Sequence, residues 1–72
     1  EYIFSGRLEV DYLNEKYHLG LEEREEYETL AGLVLYFNES IPQEGESIEV
    51  NHLAFKILSV KNARIEEIKV MV

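Results

Sequence analysis

The sequence predicts a small α+β domain with the element order β-α-α-β-β-β, its two helices covering one face of an antiparallel sheet. Three observations predict it. Two segments, Val10 to Tyr17 and Thr29 to Phe37, carry apolar residues at helical spacing. The last third of the chain breaks into three short runs rich in β-formers. These runs are separated by Glu44-Gly45, Asn51-His52 and Lys61-Asn62-Ala63, which read as turns.

The elements follow in order. Tyr2-Ile3-Phe4-Ser5 is a β-forming run that ends at Gly6, so a short strand and a turn through Gly6-Arg7 are expected. Val10, Leu13 and Tyr17 mark the apolar face of the first helix, with Leu8 packed just ahead of it. Asp11 stands in the first turn, where it suits the helix dipole, and Gly20 is the candidate C-terminal cap. Leu21 to Glu28 holds five glutamates in eight residues and no sustained apolar face. It reads as a loop with at most a helical turn, anchored by Leu21 and Tyr27.

Thr29 is placed to cap the second helix, because its hydroxyl can accept from an otherwise unpaired backbone N–H. Leu30, Leu33, Val34, Phe37 and Ile41 form its core-facing stripe. Gly32 costs about 1 kcal/mol against alanine inside a helix, so its presence predicts close approach to another backbone, a strand by expectation. Pro42 is expected to end the helix, since the residue before proline is pushed out of the α region. Ser47-Ile48-Glu49-Val50 then alternates as a half-buried strand does. In the next strand, Phe55 and Ile57 fall on one face and Leu58 and Val60 on the other. In the last, Ile68, Val70 and Val72 share a face while Ile65 is out of phase, which a bulge near Glu66-Glu67 would restore.

Seventy-two residues make a single domain, residues 1–72, with a small core. A hydrophobic share of 46% is enough to pack that core and argues against disorder. There is no cysteine, hence no disulfide and no thiolate zinc site. The longest unbroken apolar stretch, Leu33 to Phe37, is far too short to span a membrane. The chain opens on Glu1-Tyr2-Ile3 without a methionine and reads as a piece of a longer protein. A net charge of -8, with no basic stripe interleaved with aromatics, disfavours nucleic acid and anionic lipid surfaces as partners.

Candidate sites are few. His18 and His52 lie far apart and in no metal-ligand spacing, so they read as turn histidines. Glu22, Glu23, Glu25, Glu26 and Glu28 offer hard oxygen ligands for a divalent cation, but charge runs are generally solvated faces and no calcium-loop pattern is present. Ser5, Ser40, Ser47 and Ser59 sit in no nucleophile motif, and no catalytic residue is assigned. Gly6 and Gly32 form no phosphate-cradling fingerprint and read as glycines for turns and close packing. Arg7, Arg64 and exposed tyrosines suit a partner surface. Strand edges and Val70-Met71-Val72 suit pairing between copies, hence a homodimer.

Four segments, in order, resemble the CorC/HlyC transporter-associated domain. They are Ser5-Gly6-Arg7-Leu8 with Val10-Asp11-Tyr12-Leu13-Asn14, Tyr27-Glu28-Thr29-Leu30-Ala31-Gly32, Ile41-Pro42 with Gly45-Glu46, and Phe55-Lys56-Ile57-Leu58 with Arg64-Ile65-Glu66-Glu67-Ile68-Lys69-Val70. The resemblance implies a cytoplasmic accessory domain at the C-terminus of a membrane protein, behind a transmembrane domain and a pair of CBS modules. The family includes magnesium and cobalt efflux proteins and hemolysins, and its role is to modulate ion transport. It also implies a fold similar to part of the FAD-binding domains of the vanillyl-alcohol-oxidase type, which raises FAD by fold analogy alone. The resulting expectation is a non-catalytic regulatory domain that packs on CBS modules or on a second copy. The rival is a ligand-binding module for FAD, an adenine nucleotide or Mg²⁺, with no binding residue assigned.

Overall fold

A computed structural model describes residues 1–72. Its elements are β1 (Tyr2–Ser5), α1 (Val10–Tyr17), α2 (Leu30–Asn38), β2 (Ser47–Val50), β3 (Leu53–Lys61) and β4 (Arg64–Met71). The four strands form one antiparallel sheet in the order β1-β4-β3-β2, so β1 joins the outer side of the terminal meander. The expected element order and the shared sheet are both observed.

Alternation along the strands turns Phe4, Phe55, Ile57, Ile68 and Val70 to one face, where both helices lie. From α1 come Val10 and Leu13, and from α2 come Leu30, Leu33 and Val34; all five are buried. Tyr17 of α1 closes the β1 end of the core, with ring centroids 5.0 Å from Tyr2 and 5.1 Å from Phe4. Leu21 and Tyr27 bury themselves in the same cluster and anchor the acidic loop, as their positions predict. No charged or strongly polar residue is buried, and no buried side-chain polar atom lacks a partner.

Several local expectations are corrected. α1 ends at His18, which takes the left-handed conformation (φ 55°) and donates its N–H to the Asn14 carbonyl; Gly20 lies beyond the cap. α2 ends the same way at Glu39 (φ 65°), whose N–H reaches the Leu35 carbonyl, three residues before Pro42. Early termination leaves Ile41 exposed and outside the stripe, with Phe37 only half-buried. Gly32 does not face a strand. A methyl group there would meet the Tyr27 Cβ at 3.0 Å and the Thr29 Oγ1 at 3.3 Å, both in the segment entering the helix. The close approach to a strand occurs at Gly6 instead, where an added Cβ would stand 2.3 Å from the Ile65 carbonyl oxygen.

The bulge that returns Ile65 to the core is present: Ser59 pairs with Glu67 and Val60 with Ile65, leaving Glu66 as the extra residue. A second bulge sits opposite. Ile57 pairs with Ile68 and Ser59 with Glu67, so Leu58 is extra on β3. That slip turns Val60 back toward the core, where it packs, rather than to the far face with Leu58. The Val60 N–H donates to the Glu44 carboxylate at 2.8 Å. Val72 lies past the end of β4 and is 78% exposed, so it does not share the buried face of Ile68 and Val70.

Candidate functional site

Both helices start from one point. Glu9 and Thr29, the two N-caps, form an isolated antiparallel bridge. Across it the Val10 N–H donates to the Glu28 carbonyl and the Leu30 N–H to the Leu8 carbonyl, each at 2.9 Å. The Ala31 N–H then donates to the Gly6 carbonyl at 3.0 Å, and the Gly32 N–H to the Thr29 hydroxyl at 3.1 Å. The predicted Thr29 cap is therefore present. It is one of three acceptors that satisfy the first three N–H groups of α2.

This wiring bears on phosphate-bearing ligands. A helix N-terminus binds phosphate through free N–H groups and a glycine loop that lets the anion approach. Here the free donors of α2 are already used by Leu8, Gly6 and Thr29, and the hydrogen of Gly6 faces the Ile65 carbonyl rather than an open cradle. The residues present do not fit the pyrophosphate of a flavin at this helix.

Beside the junction lies an open cleft of about 370 Å³ lined by Glu9, Asp11, Glu23, Arg24 and Glu28 above Val10 and Tyr27. The acidic loop forms its wall, and one side chain of α1 holds that loop. The Asn14 Nδ2 donates to the Leu21 carbonyl at 2.8 Å, while the Leu21 N–H donates to the Asn14 Oδ1 at 2.7 Å. The amide thus pairs with the loop as a neighbouring strand would, and also reaches the Glu23 carboxylate at 2.8 Å. Tyr27 closes the loop from inside by donating its hydroxyl to the Glu22 carbonyl. Burial pushes the Tyr27 phenol above its ordinary pKa.

The five glutamates do not gather around a common point. Arg24 spreads between Glu22 (2.7 Å) and Glu26 (3.4 Å), and its guanidinium lies 5.0 Å from the Tyr36 ring centroid. The hydrogen bond from Arg24 holds the Glu22 carboxyl below the usual range and raises the arginine in return. No three His, Asp or Glu side chains converge as a ligand set. His18 caps α1 and His52 sits in the turn between β2 and β3. Ser5 and Ser40 accept local hydrogen bonds, from the Arg7 N–H and the Asn38 side chain respectively.

The proposed partner residues are divided by the fold. Arg7 and Arg64 are both exposed and come together, with Lys61 and Asn62, around a second open concavity of about 380 Å³. Val70 is fully buried and unavailable for pairing between copies, while Met71 is half-buried opposite Ala54. Sequence reasoning missed the Asn14 clamp. An asparagine inside a helix, seven residues before a buried leucine, was the one available signal.

The fold is a small α+β domain, a four-stranded antiparallel sheet under two helices that spring from one bridge, with a core packed from hydrophobic side chains. The model of the CorC_HlyC family, described as a transporter associated domain, matches residues 1–72, and the chain belongs to that family. It is 30% identical over 67 residues to the UPF0053 protein YegH of Escherichia coli (strain K12), covering 93% of this chain and only 13% of that protein. The chain thus spans a small fraction of the curated relative it matches. A conserved protein of unknown function from Haemophilus influenzae Rd KW20 shares its fold at a TM-score of 0.87 and 33% identity, over 96% of this chain and 84% of that one. The transporter associated domain of a Xylella fastidiosa Temecula1 hemolysin, solved in complex with Mg²⁺ and Mn²⁺, matches at a TM-score of 0.80 and 29% identity, over 96% and 82%.

Proposed function

We propose that this chain is a non-catalytic accessory domain of a membrane divalent-cation transporter or hemolysin, and that it acts by contact. In this reading it sits on the cytoplasmic face of the membrane and packs against CBS modules of its parent or against a second copy. Its position biases the transport of magnesium or cobalt. The observation that carries the reading is the core: its buried side chains are hydrophobic, and the one polar atom among them, the Tyr27 hydroxyl, is spent on the Glu22 carbonyl, so no free polar group is set aside inside the domain for chemistry or for an enclosed ligand. Membership of a family of transporter associated domains supports the setting. No helix of the chain is long and apolar enough to cross a membrane, so any anchorage comes from elsewhere in the parent.

The test is cation flux through the full-length parent in vesicles, with and without residues 1–72. The expected result is transport that persists with an altered rate or altered response to cation concentration. Unchanged flux and regulation would remove the accessory role, and complete loss of an otherwise folded transporter would make the domain part of the conduction machinery.

A further inference from the structure

The molecule carries seven cations against fifteen carboxylates, yet their partners are unevenly shared. Arg24 pairs with Glu22 and Glu26, Lys69 pairs with Glu1, and Lys16 donates to the Tyr12 hydroxyl. Arg7, Lys56, Lys61 and Arg64 make no ion pair. Three of those four, Arg7, Lys61 and Arg64, line the same concavity, where the turn after β1 meets the hairpin between β3 and β4.

The arrangement is costly. Lys61 and Arg64 are direct cross-strand partners, a placement in which like charges destabilise a hairpin. The comparable pair Lys56 and Lys69 is relieved by Glu1, which lies 3.3 Å from the Lys69 ammonium. Glu66 borders the concavity but bridges to none of the three cations. A cluster kept against local repulsion in so acidic a chain is a place where a partner supplies the missing anions.

Its surroundings select the kind of anion. Arg7 and Arg64 also flank an adjoining hollow of about 230 Å³ over Ala31, Leu35 and Ala63, and Leu35 is 38% exposed there. The backbone donors that would grip a phosphate are spent: the Gly6 N–H goes to the Glu66 carbonyl and the Ala31 N–H to Gly6. Guanidinium groups beside an apolar floor match a carboxylate-bearing chain with an apolar anchor, since arginine pairs bidentately with carboxylate and buried apolar contacts fill an interface centre. We propose that the Arg7, Lys61 and Arg64 end of the domain docks an acidic polypeptide segment, whose carboxylates pair with the guanidinium groups while an apolar side chain enters the hollow over Leu35. The chain's net charge of -8 disfavours such a segment over most of the remaining surface, which narrows where it lands. This surface is independent of which parent protein carries the domain.

The test is an NMR titration of the isotope-labelled 72-residue chain with a capped synthetic peptide of alternating glutamate pairs and single leucines. Saturable shifts are expected at the amides of Arg7, Ala31, Leu35 and the hairpin around Asn62, with binding that weakens as salt is raised. Replacing both arginines (Arg7→Glu with Arg64→Glu) should weaken binding at least about tenfold, while the melting curve shows the variant still folded. Shifts that fall elsewhere, or none at millimolar peptide, would overturn the proposal. So would undiminished binding by the double variant. Equal shifts with inorganic phosphate alone would reduce the site to a simple anion patch. Concentration-dependent shifts of the same amides without peptide would assign the surface to a second copy of the chain.

Discussion

At Gly6 a single hydrogen stands where a methyl carbon would lie 2.3 Å from the Ile65 carbonyl oxygen and 3.1 Å from the Ala31 Cβ. Neither neighbour is the free end of a flexible side chain, so the turn must move and with it the bonds from Gly6 to Glu66 and Ala31. Gly6→Ala is expected to cost at least about 2 kcal/mol, read as a drop in the urea midpoint with an unchanged slope. Ala63 is the opposite case. It and Asn62 both hold positive φ, 62° and 53°, in the two-residue hairpin between β3 and β4. Such turns favour glycine at the second position, because a Cβ strains the left-handed region. Ala63→Gly should therefore stabilise the chain by about 0.5–1 kcal/mol, seen as a raised thermal midpoint. Tyr27 contributes a pH dependence. Its folded-state pKa lies above the unfolded value of about 10. Its contribution to stability is therefore complete below that value and lost as pH rises through the folded pKa. An alkaline ultraviolet titration should show a late ionisation step that Tyr27→Phe removes.

The elements differ in how openly the residues announce them. β1, the two helix starts and the β2 strand follow from propensity, spacing and the Thr29 cap, all of which are local signals. The helix ends do not. His18 and Glu39 terminate α1 and α2 in a conformation that glycine adopts more readily, so Gly20 and Pro42 drew the expectation past the true stops. The Glu66 bulge was legible because Ile65 breaks the alternation around it. Its counterpart at Leu58 was not, because Leu58 and Val60 read equally well on either face until β4 fixes their register. The acidic loop takes part of its order from one side chain remote in sequence, Asn14. Asn14→Ala removes both bonds to Leu21 and leaves a buried backbone N–H unpaired, so a loss of about 1–2 kcal/mol is expected. Amide exchange at Leu21 should accelerate in the same variant. Asn14→Asp keeps the acceptor for that N–H but sets a negative charge beside Glu23, so it should protect the Leu21 amide without restoring full stability.

On the scale of the whole molecule, the chain surrounds a hydrophobic core with two charged regions, the acidic loop and the Arg7, Lys61 and Arg64 cluster. Three of the loop's five glutamates are tied, Glu22 and Glu26 to Arg24 and Glu23 to Asn14, which favours a fixed shape for that part of the loop. Three of the four cations without an ion pair lie where the turn after β1 meets the β3–β4 hairpin, a convergence invisible in the sequence because Arg7 and Arg64 are 57 residues apart by their numbers (64 less 7). Of the candidate sites, the arginines were legible as residue types, and their meeting required the strand order. In the function proposed above, the domain works through its surface and not through a bound small molecule. Isothermal titration of the 72-residue chain with FAD, ATP and magnesium chloride tests it most directly. No saturable heat in the micromolar range is expected for any of the three, whereas stoichiometric micromolar binding of one of them would overturn the proposed function.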